Sequence, residues 1–253
     1  SEDVKAFLKA EGISGTETQL DNFSVTYNNP WVMKIVAKKV KKVCGGKITG
    51  VFGEISVVVN DVITSFLDEQ FQRLSKLETN IIYWIALRRN LASLIQLRKD
   101  TLKGTLIISP SDLLDALYSL IEKYSLVNRN TNEDDDDASD LYTLDLVTLK
   151  YIINRFVEQN FQNIITVLQN QRIEGDELFL SHCIITDNPE NEELTQQQMR
   201  RIVKAIQDKL LAELRGKQRV EEELRKVLSL LKDKGLSQGY AYQNITHLIS
   251  ACE

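Results

Sequence analysis

Between Leu146 and Asn170 the apolar side chains fall on one stripe: Ile152, Ile153, Phe156, Val157, Phe161, Ile164, Ile165 and Leu168 recur at steps of three and four. That period predicts a single long amphipathic helix. Such a helix is not stable alone, so the rest of the chain must supply a surface for its apolar face. With 253 residues, 43% of them hydrophobic, there is chain enough for a core, and two or three helical subdomains are expected. The longest unbroken apolar run, Ile81 to Leu87, has seven residues, far below the roughly 20 that span a bilayer. No membrane helix and no membrane partner are expected. Ser1-Glu2-Asp3 is acidic where a secretory signal is basic, and three scattered cysteines, Cys44, Cys183 and Cys252, suit a reducing compartment. The expected location is cytoplasmic.

Charge divides the chain. Residues 1–128 carry a net of +2, from 16 Lys+Arg and 14 Asp+Glu, and residues 129–253 a net of −7, from 15 and 22. The break falls in a loop, Asn128 to Asp140, that holds Glu133 and the run Asp134 to Asp137 and has no apolar period. It joins two short strand-like pieces, Ser125 to Asn128 and Leu141 to Leu144, which together predict a hairpin. Three helix-period segments precede it: Val62 to Leu87, a short one around Leu91 to Leu97, and one from Pro110 to about Lys123. The last has a strong start, with Ser109 as cap, Pro110 at the first helical position and Asp112 in the first turn. Three helices and then a hairpin is the plan of a winged helix.

After the long helix, Glu174-Gly175-Asp176 is a stop, and Leu178 to Ile185 is ambiguous between strand and short helix. Thr195 with Gln198 reads as a capping box that opens a helix; a second runs from about Lys217 to Gly235, and a third starts after Ser237. Neither of the first two sustains three heptads, so a bundle is expected in place of a coiled coil. The fold class expected is mostly α: a helical subdomain over 1–60, a winged-helix subdomain over 61–145 with an acidic wing loop at 129–140, and the long helix with a C-terminal helical bundle over 146–253.

Chemistry is sparse. Cys44-Gly45-Gly46-Lys47-Ile48-Thr49 has Lys41 where a phosphate loop needs Gly and Ile48 where it needs Ser or Thr, so it reads as a helix ending in two glycines. The acidic loop has Asp135 and Leu141 where a calcium loop needs Gly and Glu. The histidines, His182 and His247, have no identifiable orienting partner, and no zinc-ligand spacing is present. No catalytic residue, metal ligand or cofactor is assigned. A winged helix invites a DNA reading, and Lys34, Lys38, Lys39, Lys41, Lys42 and Lys47 form a basic stretch. Against it, the wing would present Glu133 and Asp134 to Asp137 to a polyanion, and the helix from Pro110 to Lys123 holds Asp112, Asp115 and Glu122 against one lysine. The lysines read as a solvated helix face, and no nucleic-acid partner is expected.

The segment Tyr27-Asn28-Asn29-Pro30-Trp31-Val32-Met33-Lys34-Ile35-Val36-Ala37 resembles the Tyr-x-Gly-Asn-Pro-Leu-Ala-Leu-Lys-Ile-Val-Ala segment of the NB-ARC-type STAND ATPases of cyanobacteria, which are signal-transduction switches. The similarity continues through Leu67 to Glu78, Tyr83 to Ala86, Leu141 to Leu144 with Tyr151 to Gln159, and Gly239 to Ile245, in the family's order. The resemblance implies the helical subdomain after a nucleotide-binding domain, then the winged-helix subdomain, then a helical linker leading to WD or pentapeptide repeats. It aligns Asn28-Asn29-Pro30-Trp31 with the family's Gly-Leu-Pro-Leu motif, keeping the proline that lies against adenine. Thr143-Leu144-Asp145 aligns with Met-His-Asp, with Leu144 in place of the phosphate-sensing histidine. Pro30 and Asp145 thus stand at cofactor positions without their full chemistry, and the phosphate loop, Mg²⁺-binding acid and arginine sensor would belong to an upstream domain. The function implied is a non-catalytic regulatory and protein-interaction module; the alternative is a winged-helix transcription regulator. Trp31 and Leu144 are the expected interaction residues, toward the nucleotide-binding domain of a STAND protein or a second copy of this chain.

Overall fold

The apolar run Ile81 to Leu87 occupies the middle of the molecule. In the computed structural model it lies in a helix numbered α5 (Lys76–Arg88), and every residue of the run is at most 1% exposed. A helix that is apolar on all sides has to be surrounded. The long helix α8 (Leu146–Asn170) packs along it, with Phe156 against Tyr83 at 5.3 Å between ring centroids. The structure describes residues 2–27, 30–48, 55–89, 92–103, 109–130, 140–186 and 191–251, and the fold is mostly α-helical. Among the described residues no helix is long and apolar enough to cross a membrane.

The N-terminal helices are α1 (Glu2–Ala10), α2 (Glu17–Thr26) and α3 (Pro30–Cys44). On α3, Val32, Met33, Val36, Ala37 and Val40 are buried while Lys34, Lys38, Lys41 and Lys42 face solvent, so these four lysines lie on the wet side of an amphipathic helix. Gly45 and Gly46 follow at φ 60° and 85°. At Gly46 a Cβ would clash with the Gly12 carbonyl oxygen, because the segment from Gly12 to Ser14 crosses close by: Ser14 N donates to Gly46 O at 2.8 Å and Ile48 N to Ser14 O at 2.9 Å. The glycines end a helix and permit a backbone crossing.

The segment Val62 to Leu87 is two helices, and the expectation of one is corrected here. Helix α4 (Ile55–Gln72) runs through residues 60 and 61 and stops; Ser75 then caps α5, its hydroxyl accepting from Glu78 N while the Glu78 carboxylate accepts from Ser75 N at 2.6 Å. The expected short helix around Leu91 also starts differently. Ala92–Ser93 is a strand, β1, and α6 (Leu94–Lys103) follows it. Helix α7 (Pro110–Tyr118) has the predicted start, with Ser109 and Asp112 forming a capping box, and it continues as a π-helical turn over Ser119–Lys123.

The hairpin sits later on its first arm than expected. Its strands are β2 (Asn128–Asn130) and β3 (Leu141–Thr143), paired Asn128 to Thr143 and Asn130 to Leu141. Residues 125–127 do not join because Ser125 takes φ 51° and the N–H groups of Leu126 and Val127 donate back to Leu120 O. Strand β1 pairs antiparallel with the other edge of β3, giving a sheet of order β1-β3-β2.

Beyond α8 the chain makes the short helix α9 (Leu178–Ser181), so the first half of the ambiguous stretch is helix, while residues 182–185 are neither helix nor strand. Helix α10 (Glu192–Gln198) opens at Asn191, whose side chain accepts from Leu194 N at 2.9 Å. Thr195 lies inside it, so the capping box expected there is corrected. A π-helical turn (Met199–Val203) leads into α11 (Lys204–Leu214), and α12 (Lys217–Asp233) and α13 (Tyr240–Ser250) complete the bundle. Buried amides tie it to the middle of the molecule. Asn244 accepts from Ile184 N at 2.9 Å and donates to Phe179 O and His182 O; Gln198 accepts from Thr186 N at 2.9 Å and donates to Leu87 O at 2.9 Å; Gln207 donates to Leu248 O. Each replaces a backbone partner that no regular element supplies.

Candidate functional site

The residues singled out by sequence have separate surroundings. Pro30 is exposed at the first position of α3, which packs against α4. The side chain of Trp31 and all of Asn28 and Asn29 lie outside the described residues. Leu144 is half-buried against the core. Asp145 is only 3% exposed, and its carboxylate is committed to starting α8: Oδ1 accepts from Val147 N at 3.0 Å and Thr148 N at 2.9 Å, and Oδ2 from the Thr148 hydroxyl at 2.6 Å. That capping role was missed from sequence, although an Asp ahead of the first apolar-periodic residue is a start signal.

His182 is equally committed. It is fully buried, stacked on Trp84 with 4.9 Å between ring centroids and edge-on to Tyr83 and Phe156. Its Nε2 faces the Asn80 carbonyl at 3.0 Å, which can only accept, so Nε2 carries the proton and Nδ1 accepts from the Ser181 hydroxyl at 2.8 Å. Burial pulls the ring's pKa down to about 4, the nearby carbonyls opposing. A neutral, enclosed imidazole is a core residue here.

Two surfaces bear on function. The outer face of α7 carries Ser111, Asp112, Leu114, Asp115 and Tyr118, with Leu114 51% and Tyr118 70% exposed, and no lysine or arginine lies on that helix. The second is a cleft of about 470 Å³ between the end of α5, the first half of α8 and the turn joining α10 to α11. Its wall is apolar, with Leu87, Leu149, Leu194 and Ile202 buried, and Arg89, Lys150, Arg200 and Arg201 line it with no acidic side chain among the lining residues. Gln198, buried by its bonds to Leu87 and Thr186, fixes the floor. Arg89 follows α5 at φ 53° and ψ −121°, a backbone conformation side chains rarely adopt, and its guanidinium donates to the Gln197 side chain. Burial first and Arg201 second pull the Arg89 pKa below its ordinary value, with Glu193 opposing. None of these four cations was picked out from sequence.

The chain is therefore a mostly helical protein with a small antiparallel sheet, an acidic and apolar helix face, and a cation-lined cleft. Compared with known proteins, it is similar to an uncharacterised WD-repeat-containing protein of the cyanobacterium Nostoc sp., 26% identical over 251 residues. The similarity covers 87% of this chain and 19% of that relative, so the chain spans about a fifth of the relative's length. No protein-family model matches the chain. No solved structure matches it.

Proposed function

We propose that this chain is a non-catalytic regulatory and protein-interaction module of the kind found behind the nucleotide-binding domain of STAND switches, with a winged-helix unit formed by α5 to β3. The order helix, strand, two helices, two strands, with sheet order β1-β3-β2, supports the winged-helix reading. The Nostoc relative is a WD-repeat-containing protein much longer than this chain, and a STAND module of this kind leads into such repeats, which supports the same reading. The observation that carries the interaction role is the outer face of α7. In a DNA-binding winged helix that position requires cations and hydrogen-bond donors for phosphates and base edges. Here it offers Asp112, Asp115, Leu114 and Tyr118. Carboxylates repel a phosphate backbone, while an exposed aromatic beside an exposed leucine suits a protein surface.

Fluorescence anisotropy with a labelled DNA duplex at low salt tests the choice. No binding is expected, and size-exclusion light scattering is expected to show self-association that Leu114→Asp with Tyr118→Asp removes. DNA binding that persists at about 0.15 M salt, where a Debye length near 8 Å screens weak attraction, and that is lost on neutralising Lys38 and Lys41, would replace this reading by a DNA-binding regulator.

A further inference from the structure

The cleft between α5, α8 and the α10–α11 turn has a chemistry that the module reading does not use. We propose that it binds a small polyanion carrying two or more phosphate groups, held by Arg89, Lys150, Arg200 and Arg201.

Like charges gathered around one concavity repel one another, and a fold tolerates the arrangement when solvent or a counter-charged ligand neutralises it. Among the described residues, none of the four cations makes an ion pair with a carboxylate within 4.0 Å, a state they share with other exposed cations such as Arg98 and Lys204, and what sets them apart is that they line one concavity. Glu193 lies near enough to Arg89 to influence it, but its carboxylate already accepts from Gln197 Nε2 at 2.9 Å and it does not line the cleft.

The setting is also pre-formed. Arg89 is held in a left-handed backbone conformation of the sort that persists where the surrounding structure over-determines it and clusters at ligand sites. Arg200 and Arg201 stand in a π-helical turn, another irregularity found most often at functional positions. Three guanidinium groups suit phosphate oxygens, which they engage two bonds at a time, and Asn154 adds an amide donor. The volume, about 470 Å³, falls within the range of small-molecule sites. The phosphates could be joined directly, as in inorganic pyrophosphate, or carried apart on an organic body lying along Leu149, Ile153 and Ile202.

Isothermal titration of the full chain with sodium pyrophosphate and with fructose 1,6-bisphosphate, using sodium acetate as control, tests the site. One-to-one binding of at least one bisphosphate and none of acetate is expected, and the tighter of the two tells whether the phosphates sit together or apart. Arg89→Gln with Arg201→Gln should weaken binding about tenfold or more, while Arg225→Gln on α12 should leave it unchanged. Arg200→Gln, altering an exposed side chain, serves if the double variant loses its helical circular dichroism, and it should weaken binding in the same direction. Failure of the wild type to bind either compound at about 10 mM, near the weak end of measurable affinity, would overturn the proposal. Equal weakening by Arg225→Gln and the cleft variants would overturn it as well, because the attraction would then be general charge.

Discussion

Arg89 holds a backbone conformation that costs about 1–3 kcal/mol for a residue with a Cβ, at φ 53° and ψ −121°. Glycine reaches that region freely but loses more freedom on folding, by roughly 0.5–1 kcal/mol. Arg89→Gly is therefore expected to be neutral or to stabilise by about 1 kcal/mol, seen as an unchanged or higher melting temperature; a drop of several degrees would show that the side chain anchors the turn. Asp145 is the opposite case. Its carboxylate serves two backbone N–H groups and the buried Thr148 hydroxyl, so Asp145→Ala should cost about 1–2 kcal/mol in urea denaturation, and Asp145→Asn less. Asn160 is fully buried in α8, where Nδ2 donates to Phe156 O at 2.8 Å while Oδ1 has no hydrogen-bond partner. Asn160→Leu removes an unsatisfied acceptor, and a gain of about 1 kcal/mol is the expected outcome by the same measurement.

Helices α5 and α6 are joined by an ion pair taken out of water: Arg88 Nε and Nη2 donate to the two Asp100 oxygens at 2.8 and 2.6 Å, with Arg88 6% and Asp100 1% exposed. Burial pulls the Arg88 pKa down, and Asp100, with Cys183 and Tyr240 adding to it, pulls it up, leaving the group raised. Asp100→Asn leaves a buried, unpaired guanidinium and should cost about 3–5 kcal/mol. Replacing both partners, Arg88→Met with Asp100→Leu, should cost clearly less, and a double variant as unstable as the single one would contradict that account. At this scale the sequence was partly legible. Ser109, Pro110 and Asp112 mark a helix start that is there, whereas Ser75 and Glu78 form the same kind of box inside a run whose apolar period continues across the break, and period alone hides the boundary. Strand β1 has only Ala92 and Ser93, too few residues to show an alternation, and it is extended because β3 offers it an edge. The cleft was illegible for a related reason. Arg89, Lys150, Arg200 and Arg201 come from distant stretches, and no local pattern says that they converge.

Across the whole molecule, His182 makes stability depend on pH. Its folded pKa of about 4 lies below the ordinary 6.5, so the unfolded chain takes up the proton first as pH falls. Stability should be unaffected by this group above pH 6.5, decline between 6.5 and 4 by about 1.4 kcal/mol per pH unit, and level off below, a loss of about 3 kcal/mol in all. His182→Phe should lower the starting stability, by removing the hydrogen bonds that the ring makes with the Asn80 carbonyl and the Ser181 hydroxyl, yet flatten this part of the profile in urea midpoints taken from pH 7 to pH 4. A variant with the wild-type slope would assign the acid sensitivity to other groups. The buried amides have a different global consequence. The N–H groups of Ile184 and Thr186 belong to an irregular segment, yet their acceptors are the Asn244 and Gln198 side chains, on α13 and α10. Neither proton can trade with deuterium from solvent until those helices separate from the middle of the molecule. Both amides should therefore exchange as slowly as those of α5, at the rate set by global opening, and Asn244→Ala should release Ile184 to exchange orders of magnitude sooner while the α5 amides follow only the overall loss of stability.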